Sequence, residues 1–302
     1  MTNNDIKGII CPILTPMNED ESINYDGLRK EIDRLIDAGI YGIFCFGTNG
    51  ENYALDEEEK LNVLSITIEH VNHRVPVYAG TGCITTSDTI RLSRKAEKLG
   101  ADALSIITPS FAAASQEELY RHYLAVGKEI SIPAIIYNIP ARTGNKVLPV
   151  TLRRIAKDVE TIVGAKDSSG DWDNLLGYIN ETRDLDKNFR ILSGNDALIL
   201  KCLQAGGVGS IAGCSNVYPK VILGIYNNFI AGNLDEAQKC QDAIVPYRAV
   251  FKHGNPNTII KKTAAILGYP VGDLRRPFNY ITPEGMEALQ AVIAEYKNKG
   301  IN

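Results

Sequence analysis

Along the chain, short apolar runs alternate with longer stretches in which apolar residues recur three and four positions apart. The runs are "GIICPILTP" from Gly8, "YGIFCFGTN" from Tyr41, "VPVYAGTG" from Val75 and "ALSIITPS" from Ala103. They continue with "PAIIYNIP" from Pro133, "TIVGAKDS" from Thr161, "FRILSGND" from Phe189 and "GVGSIAGCSN" from Gly207. Near-continuous apolarity over a few residues marks strands buried on both faces, as in a parallel sheet. Between them lie helical patterns such as "YDGLRKEIDRLIDAG", "LDEEEKLNVLSITIEHV", "TSDTIRLSRKAEKLG" and "SQEELYRHYLAVGKEI". Asp56, followed by Glu57, Glu58 and Glu59, offers a cap and an acidic first turn, while Gly39 and Gly100 offer helix stops. Eight such β–α repeats predict an α/β fold, the (β/α)8 TIM barrel. The alternative is an open doubly wound sheet, which expects a G-x-G-x-x-G turn after the first strand; none stands there.

After Val217 the pattern is wholly helical, with starts expected near Pro219, Leu234, Pro256 and Pro283. The first of these completes a barrel catalytic domain over 1–232, and the rest form a C-terminal helical extension over 233–302. No linker rich in Gly, Ser or Pro separates the two, so the extension is expected to pack on the barrel. At 302 residues the chain exceeds the usual domain length, but α/β barrels of about 250 residues form single domains.

Charge narrows the partners. The 32 Lys and Arg against 36 Asp and Glu give a net charge of −4, with no dense basic cluster carrying interleaved aromatics, so nucleic acid is not expected. The opening "MTNNDIKGIICPILTP" lacks the charged and apolar regions of a signal peptide, and no apolar stretch reaches the roughly 18 residues of a membrane helix. A cytoplasmic location follows as an expectation. Cys11, Cys45, Cys83, Cys202, Cys214 and Cys240 form no C-x-x-C pair and lie in apolar segments, as reduced core thiols do. His70, His73, His122 and His253 have no companions at zinc-site spacing, so no metal is expected.

In a barrel, chemistry gathers where strands end and βα loops begin. The second run ends in "GTNGE" (Gly47 to Glu51), the fifth in "YNIPARTG" (Tyr137 to Gly144), the sixth in Lys166-Asp167-Ser168-Ser169 and the seventh in "SGND". If Lys166 projects into the barrel, apolar walls disfavour its ammonium, and a neutral amine is a nucleophile for a ketone or aldehyde carbonyl. Otherwise it reaches past the strand to water or pairs with Asp167. The "GTNGE" turn offers the Thr48 hydroxyl, the Asn49 amide and backbone N–H groups to a carboxylate or phosphate, or is an ordinary βα turn. Glu51 is expected as a helix-start acid rather than a catalyst. Tyr137 is placed to shuttle a proton and Arg142 to grip a carboxylate, unless the first is simply a buried aromatic and the second a solvated cation.

Taken together, "TP", "GTNGE", "YNIPARTG", "GAKDSSGD", "SGND" and the late "NPNTIIKKTAAILG" resemble the dihydrodipicolinate synthase and N-acetylneuraminate lyase family of class I aldolases, over nearly the whole chain. The resemblance implies a barrel with helical C-terminal additions, no metal or other cofactor, and a Schiff base between Lys166 and pyruvate or a related 2-oxo acid. It implies that Thr48, Asn49 and Gly50 hold the oxo-acid carboxylate and that Tyr137 relays protons. Gly194 would let backbone approach the ligand, and Ile211 would border it. Arg142 stands where the synthases bind the carboxylate of aspartate semialdehyde, which favours synthase-like condensation. Asn49 in place of a second hydroxyl residue, "KDSSGD", and Phe111 in place of a relay tyrosine resemble instead the aldolases of 2-oxo-3-deoxy sugar acids or 4-hydroxy-2-oxoglutarate. N-acetylneuraminate cleavage and a non-catalytic 2-oxo-acid-binding protein are further alternatives. The resemblance also implies a homo-oligomer, a tetramer of tight dimers, with Phe111 near the dimer interface; Phe111, Arg142 and Ser215 would shape the aldehyde end of the site.

Overall fold

Each apolar run contains a parallel strand: β1 (Gly8–Cys11), β2 (Gly42–Cys45), β3 (Val77–Gly80), β4 (Ala103–Ile107), β5 (Ala134–Asn138), β6 (Ile162–Asp167), β7 (Arg190–Ser193) and β8 (Gly209–Ile211). The computed structural model describes residues 3–185 and 187–301. Met1, Thr2 and Asn302, at the outer ends of the two expected units, lie outside the described residues. The strands close in chain order, with β8 returning to β1 through Gly8 and Gly209. That closure is the expected TIM barrel and rules out the open sheet.

The helices between the strands are α1 (Tyr25–Ala38), α2 (Glu57–Val71), α3 (Thr86–Leu99), α4 (Gln116–Gly127), the single turn α5 (Pro140–Thr143), α6 (Pro149–Asp158), α7 (Trp172–Thr182) and α8 (Ile199–Ala205). After β8 come α9 (Pro219–Ile230), α10 (Leu234–Ala243), α11 (Val245–Ala249), α12 (Pro256–Ile266) and α13 (Pro283–Asn298). Local chemistry sets their ends. Asp56 and Glu59 form a reciprocal capping box at the start of α2, and Gly39 and Gly100 close α1 and α3 in the left-handed region at φ 95° and 101°.

Apolar side chains separate into an interior and a jacket. Ile10, Phe44, Tyr78, Ile135, Val163, Leu192 and Ile211 fill the barrel. Outward-facing strand residues pack against the helices, and Ile9 and Leu14 share a cluster with Tyr218, Tyr247, Leu289 and Tyr296. Fully burying a side chain such as Leu289 contributes about 1.5–3 kcal/mol, so this cluster holds the late helices against the barrel. The cysteines are free; Cys11, Cys45 and Cys202 are buried, and burial pushes their thiols up to about 12. Among the described residues, no helix is long and apolar enough to cross a membrane.

One irregularity positions the site. Ala134 pairs with Ile162 but Ile135 pairs with Gly164, so Val163 is an extra residue in β6. Beyond the bulge the alternation is reset, and Val163 and Lys166, an odd number of residues apart, both face the barrel interior.

Candidate active site

Parallel register places Tyr137 beside Lys166 and Asn138 beside Asp167. Paired residues share a face, so Tyr137 and Lys166 point inward and Asn138 and Asp167 outward. Lys166 is 4% exposed, with Nζ 3.8 Å from the centre of the Tyr137 ring and 5.5 Å from that of Phe44. On the other face, the Asp167 carboxylate accepts hydrogen bonds from Asn138 Nδ2 at 2.7 Å and Ser169 Oγ at 2.8 Å. Burial raises the Asp167 carboxyl while these bonds draw it down. Lys166 therefore neither reaches bulk water nor pairs with Asp167.

The neighbouring strand ends are shaped around this lysine. A Cβ on Gly194, just after β7, would lie 1.9 Å from Ser168 Oγ and 2.8 Å from Lys166 Cε, so only glycine leaves room for both. After β2 the chain turns through Phe46, in the left-handed region at φ 56°, and brings Thr48 Oγ1 within 2.9 Å of the Tyr137 hydroxyl. Either oxygen can donate, so the two hydroxyls form a path along which a proton can pass.

Thr48, Asn49, Tyr137, Arg142, Lys166, Gly194 and Ile211 all border one cavity of about 290 Å³ at this end of the barrel. Two expected contributors do not. Gly50 lies beneath the turn, its carbonyl accepting from Thr15 Oγ1 at 2.8 Å, and Phe111 is 98% exposed on the loop after β4. Arg142 is exposed, donates from Nη2 to Asn255 Oδ1 at 2.8 Å, and stands between this cavity and an adjoining one of about 680 Å³ that also reaches Thr48. Ser215 is buried and donates to the Ala212 carbonyl.

The cavity also contains residues to which no role was attached from sequence. Ser168, Asn195 and Asp196 lie within quoted strand-end motifs, and Arg248, Phe251 and Asn257 come from the late helices. Arg248 Nη2 donates to Asn195 Oδ1 at 2.7 Å, and Asn257 Nδ2 to the Thr48 carbonyl at 3.0 Å. Asn49 Oδ1, Ser168 Oγ and Asp196 Oδ1 are buried with no hydrogen-bond partner among the described residues.

Glu51 corrects an expectation. Helix α2 begins at Glu57 behind its Asp56 cap, so Glu51 is not a helix-start acid. It is fully buried, bonded to Lys261 Nζ at 2.5 Å and to the Arg275 backbone N–H at 3.0 Å. Among the described residues, no group of three or more His, Cys, Asp or Glu side chains could hold a metal ion.

Comparison with known proteins matches this arrangement to one family. A relative from Syntrophus aciditrophicus (strain SB), named 4-hydroxy-tetrahydrodipicolinate synthase, is 39% identical over 291 residues, 96% of this chain and 98% of its own. Another of the same name from Methanopyrus kandleri is 35% identical over 287 residues, 94% of each chain. Among solved structures, the 4-hydroxy-tetrahydrodipicolinate synthase of Methylacidiphilum fumariolicum SolV superposes with a TM-score of 0.93 at 30% identity, covering 97% of each chain. YagE, a prophage protein of the dihydrodipicolinic acid synthase family from E. coli K12 in complex with pyruvate, superposes at 0.92 with 28% identity, covering 97% of this chain and 99% of its own. The model of the dihydrodipicolinate synthetase family matches residues 5–296, nearly the full chain, and the chain belongs to that family.

Proposed function

We propose that the chain is a class I lyase that condenses pyruvate with aspartate semialdehyde, the 4-hydroxy-tetrahydrodipicolinate synthase reaction. The observation that carries the proposal is the buried Lys166 amine beside the hydrogen-bonded Tyr137–Thr48 pair. In this reading the amine adds to the pyruvate ketone to give a carbinolamine, which loses water as an iminium. The iminium withdraws electrons from the neighbouring methyl carbon, whose proton leaves and gives an enamine. The enamine carbon attacks the aldehyde, whose oxygen takes up a proton, and the iminium re-forms; the acceptor's amino group then adds to the iminium carbon, closing the ring as a cyclic imine and releasing the Lys166 amine. Tyr137 and Thr48 carry protons in these steps, within the range of about 10²–10⁴-fold that positioned acid–base groups contribute. Thr48 and Asn49 hold the 2-oxo-acid carboxylate, with Gly50 supporting their turn from beneath, Gly194 and Ile211 border the bound acid, and Arg142 holds the carboxylate of the acceptor.

Relatives named as synthases and the pyruvate complex of YagE support the substrate choice. The test is a panel of aldehydes with pyruvate, including aspartate semialdehyde, run on the native chain and on Arg142→Ala. Turnover with aspartate semialdehyde is expected, with the variant's acceptor KM raised about tenfold or more, as loss of a charge-assisted contact requires, and its pyruvate KM nearly unchanged. Equal changes in both KM values would remove Arg142 from the acceptor role.

A second reading, cleavage of a 2-oxo-3-deoxy sugar acid or 4-hydroxy-2-oxoglutarate, is favoured by the polar residues Asn49, Ser168 and Asn195 bordering the cavity, which suit a hydroxylated substrate. Faster turnover of such acids than of aspartate semialdehyde would select it. A homo-oligomer belongs to the same proposal, motivated by the fully presented Phe111 side chain on a residue at φ 76°. One structural neighbour is described as a monomeric dihydrodipicolinate synthase variant, so sedimentation must decide the state of this chain.

A further inference from the structure

The turn that carries Thr48 and Asn49 is held from behind by the C-terminal helices. Its own closure is slight: the Glu51 N–H reaches the Thr48 carbonyl at 3.2 Å, and Glu51 lies in the left-handed region at φ 58°. A side-chain-bearing residue persists there only when its surroundings hold it. Asn257 at the start of α12 donates to the same Thr48 carbonyl at 3.0 Å. One turn further along α12, Lys261 Nζ donates to Glu51 Oε1 at 2.5 Å and to the Thr15 carbonyl at 2.8 Å. Thr15 in turn donates through Oγ1 to the Gly50 carbonyl at 2.8 Å. The other Glu51 oxygen accepts from the Arg275 N–H at 3.0 Å, and the Arg275 guanidinium grips Glu59 and the Ala54 carbonyl on the far side of the same loop.

Glu51 and Lys261 both have fully buried side chains, and neither borders the cavity. Such a pair is a poor source of stability, because desolvating two charges cancels most of their attraction, and apolar replacements of similar size are often neutral. What the pair does supply is direction, since it can be satisfied only with the turn in one place. We propose that the buried Glu51–Lys261 pair is a positioning device that locks the Thr48–Gly50 turn onto α12 and thereby sets the affinity of the site for the 2-oxo-acid carboxylate. The proposal rests on the Schiff-base reading of Lys166 and adds Glu51, Lys261 and Thr15 as positioning residues.

The test measures half-saturating pyruvate in borohydride trapping, alongside the trapping rate at saturation and the melting temperature. It uses the native chain, the double variant Glu51→Gln/Lys261→Met and the milder Thr15→Val. In the double variant no charge is stranded, and Gln can still accept from the Arg275 N–H. Thr15→Val keeps the carbonyl that Lys261 uses and removes only the hydroxyl on Gly50. Half-saturating pyruvate is expected to rise about tenfold in the double variant and about threefold in Thr15→Val, with the saturated trapping rate and melting temperature close to native values. A merely structural pair would lower the melting temperature or the reactive fraction and leave half-saturation within twofold of native, and that result would overturn the proposal. If the double variant does not fold, Glu51→Gln alone, which breaks the ion pair while its amide oxygen can still accept from the Arg275 N–H, decides by the same criterion. No adduct in the native chain would overturn the Schiff-base reading, and the proposal with it; a native adduct with unchanged half-saturation in the variants would overturn the proposal alone.

Discussion

Lys166 enters the barrel because β6 carries an extra residue, Val163, between two regular stretches of pairing. Counting alternate residues from Val163 would send Lys166 outward with Asp167 inward; the bulge reverses both. In "TIVGAKDS" only Gly164 hints at a bulge, and a strand glycine equally marks a close backbone approach, here to the Arg190 carbonyl, so the residue type does not by itself reset the alternation. The lysine was therefore legible as a strand-end candidate, whereas its direction was not. Tyr137 and Thr48 were likewise visible at their strand ends, but their 2.9 Å contact joins residues 89 apart in the chain. Their proposed proton path gives a prediction at this scale. Tyr137→Phe keeps the ring against Lys166 and removes the hydroxyl, so kcat for condensation should fall about 100-fold or more in steady-state assays. A fall of less than threefold would remove Tyr137 from the relay.

Helices were legible in proportion to how local their signals are. The Asp56 cap, the Gly39 and Gly100 stops and the starts at Pro219, Leu234, Pro256 and Pro283 all coincide with structural ends. Glu51 was misjudged because its partner Lys261 stands 210 residues away, beyond any periodicity. His122, one of the histidines without a metal set, belongs to the same class of long-range burial. On α4 it packs edge-on to Tyr123, shares a hydrogen bond with Thr86 Oγ1 through Nδ1, and leaves Nε2 buried with no partner among the described residues. Burial pushes the imidazole from 6.5 down to about 4, so the folded chain keeps it neutral where the unfolded chain takes up a proton. Stability is thus unaffected by His122 above about pH 6.5, falls as pH drops from there toward about 4, and then levels. Urea midpoints should show His122→Phe losing about 2–3 kcal/mol less stability than the native chain between pH 7 and pH 4.5. An equal loss in both proteins would place the acid sensitivity elsewhere.

At the scale of the whole molecule, alternation of buried runs with amphipathic segments was sufficient to foresee a closed barrel, because few other folds bury eight parallel strands on both faces. Less legible was the part taken by the late helices. Apolar periodicity says that a helix has a buried face without saying what it faces, so α11, the segment after it and α12 looked like packing on the barrel. In the fold they also wall the cavity with Asn257, Arg248 and Phe251 and brace the turn opposite Lys166. The barrel brings strand ends to one mouth, and the helices complete it around the Lys166 amine. That convergence makes capture of a 2-oxo acid by Lys166 the central claim. Its most direct measurement is incubation with pyruvate, reduction with borohydride, and mass mapping of the protein. A reduced pyruvyl adduct on the peptide carrying Lys166, absent from Lys166→Ala, is the predicted result. No adduct on Lys166 with any 2-oxo acid, or an equal adduct in Lys166→Ala, would contradict the account.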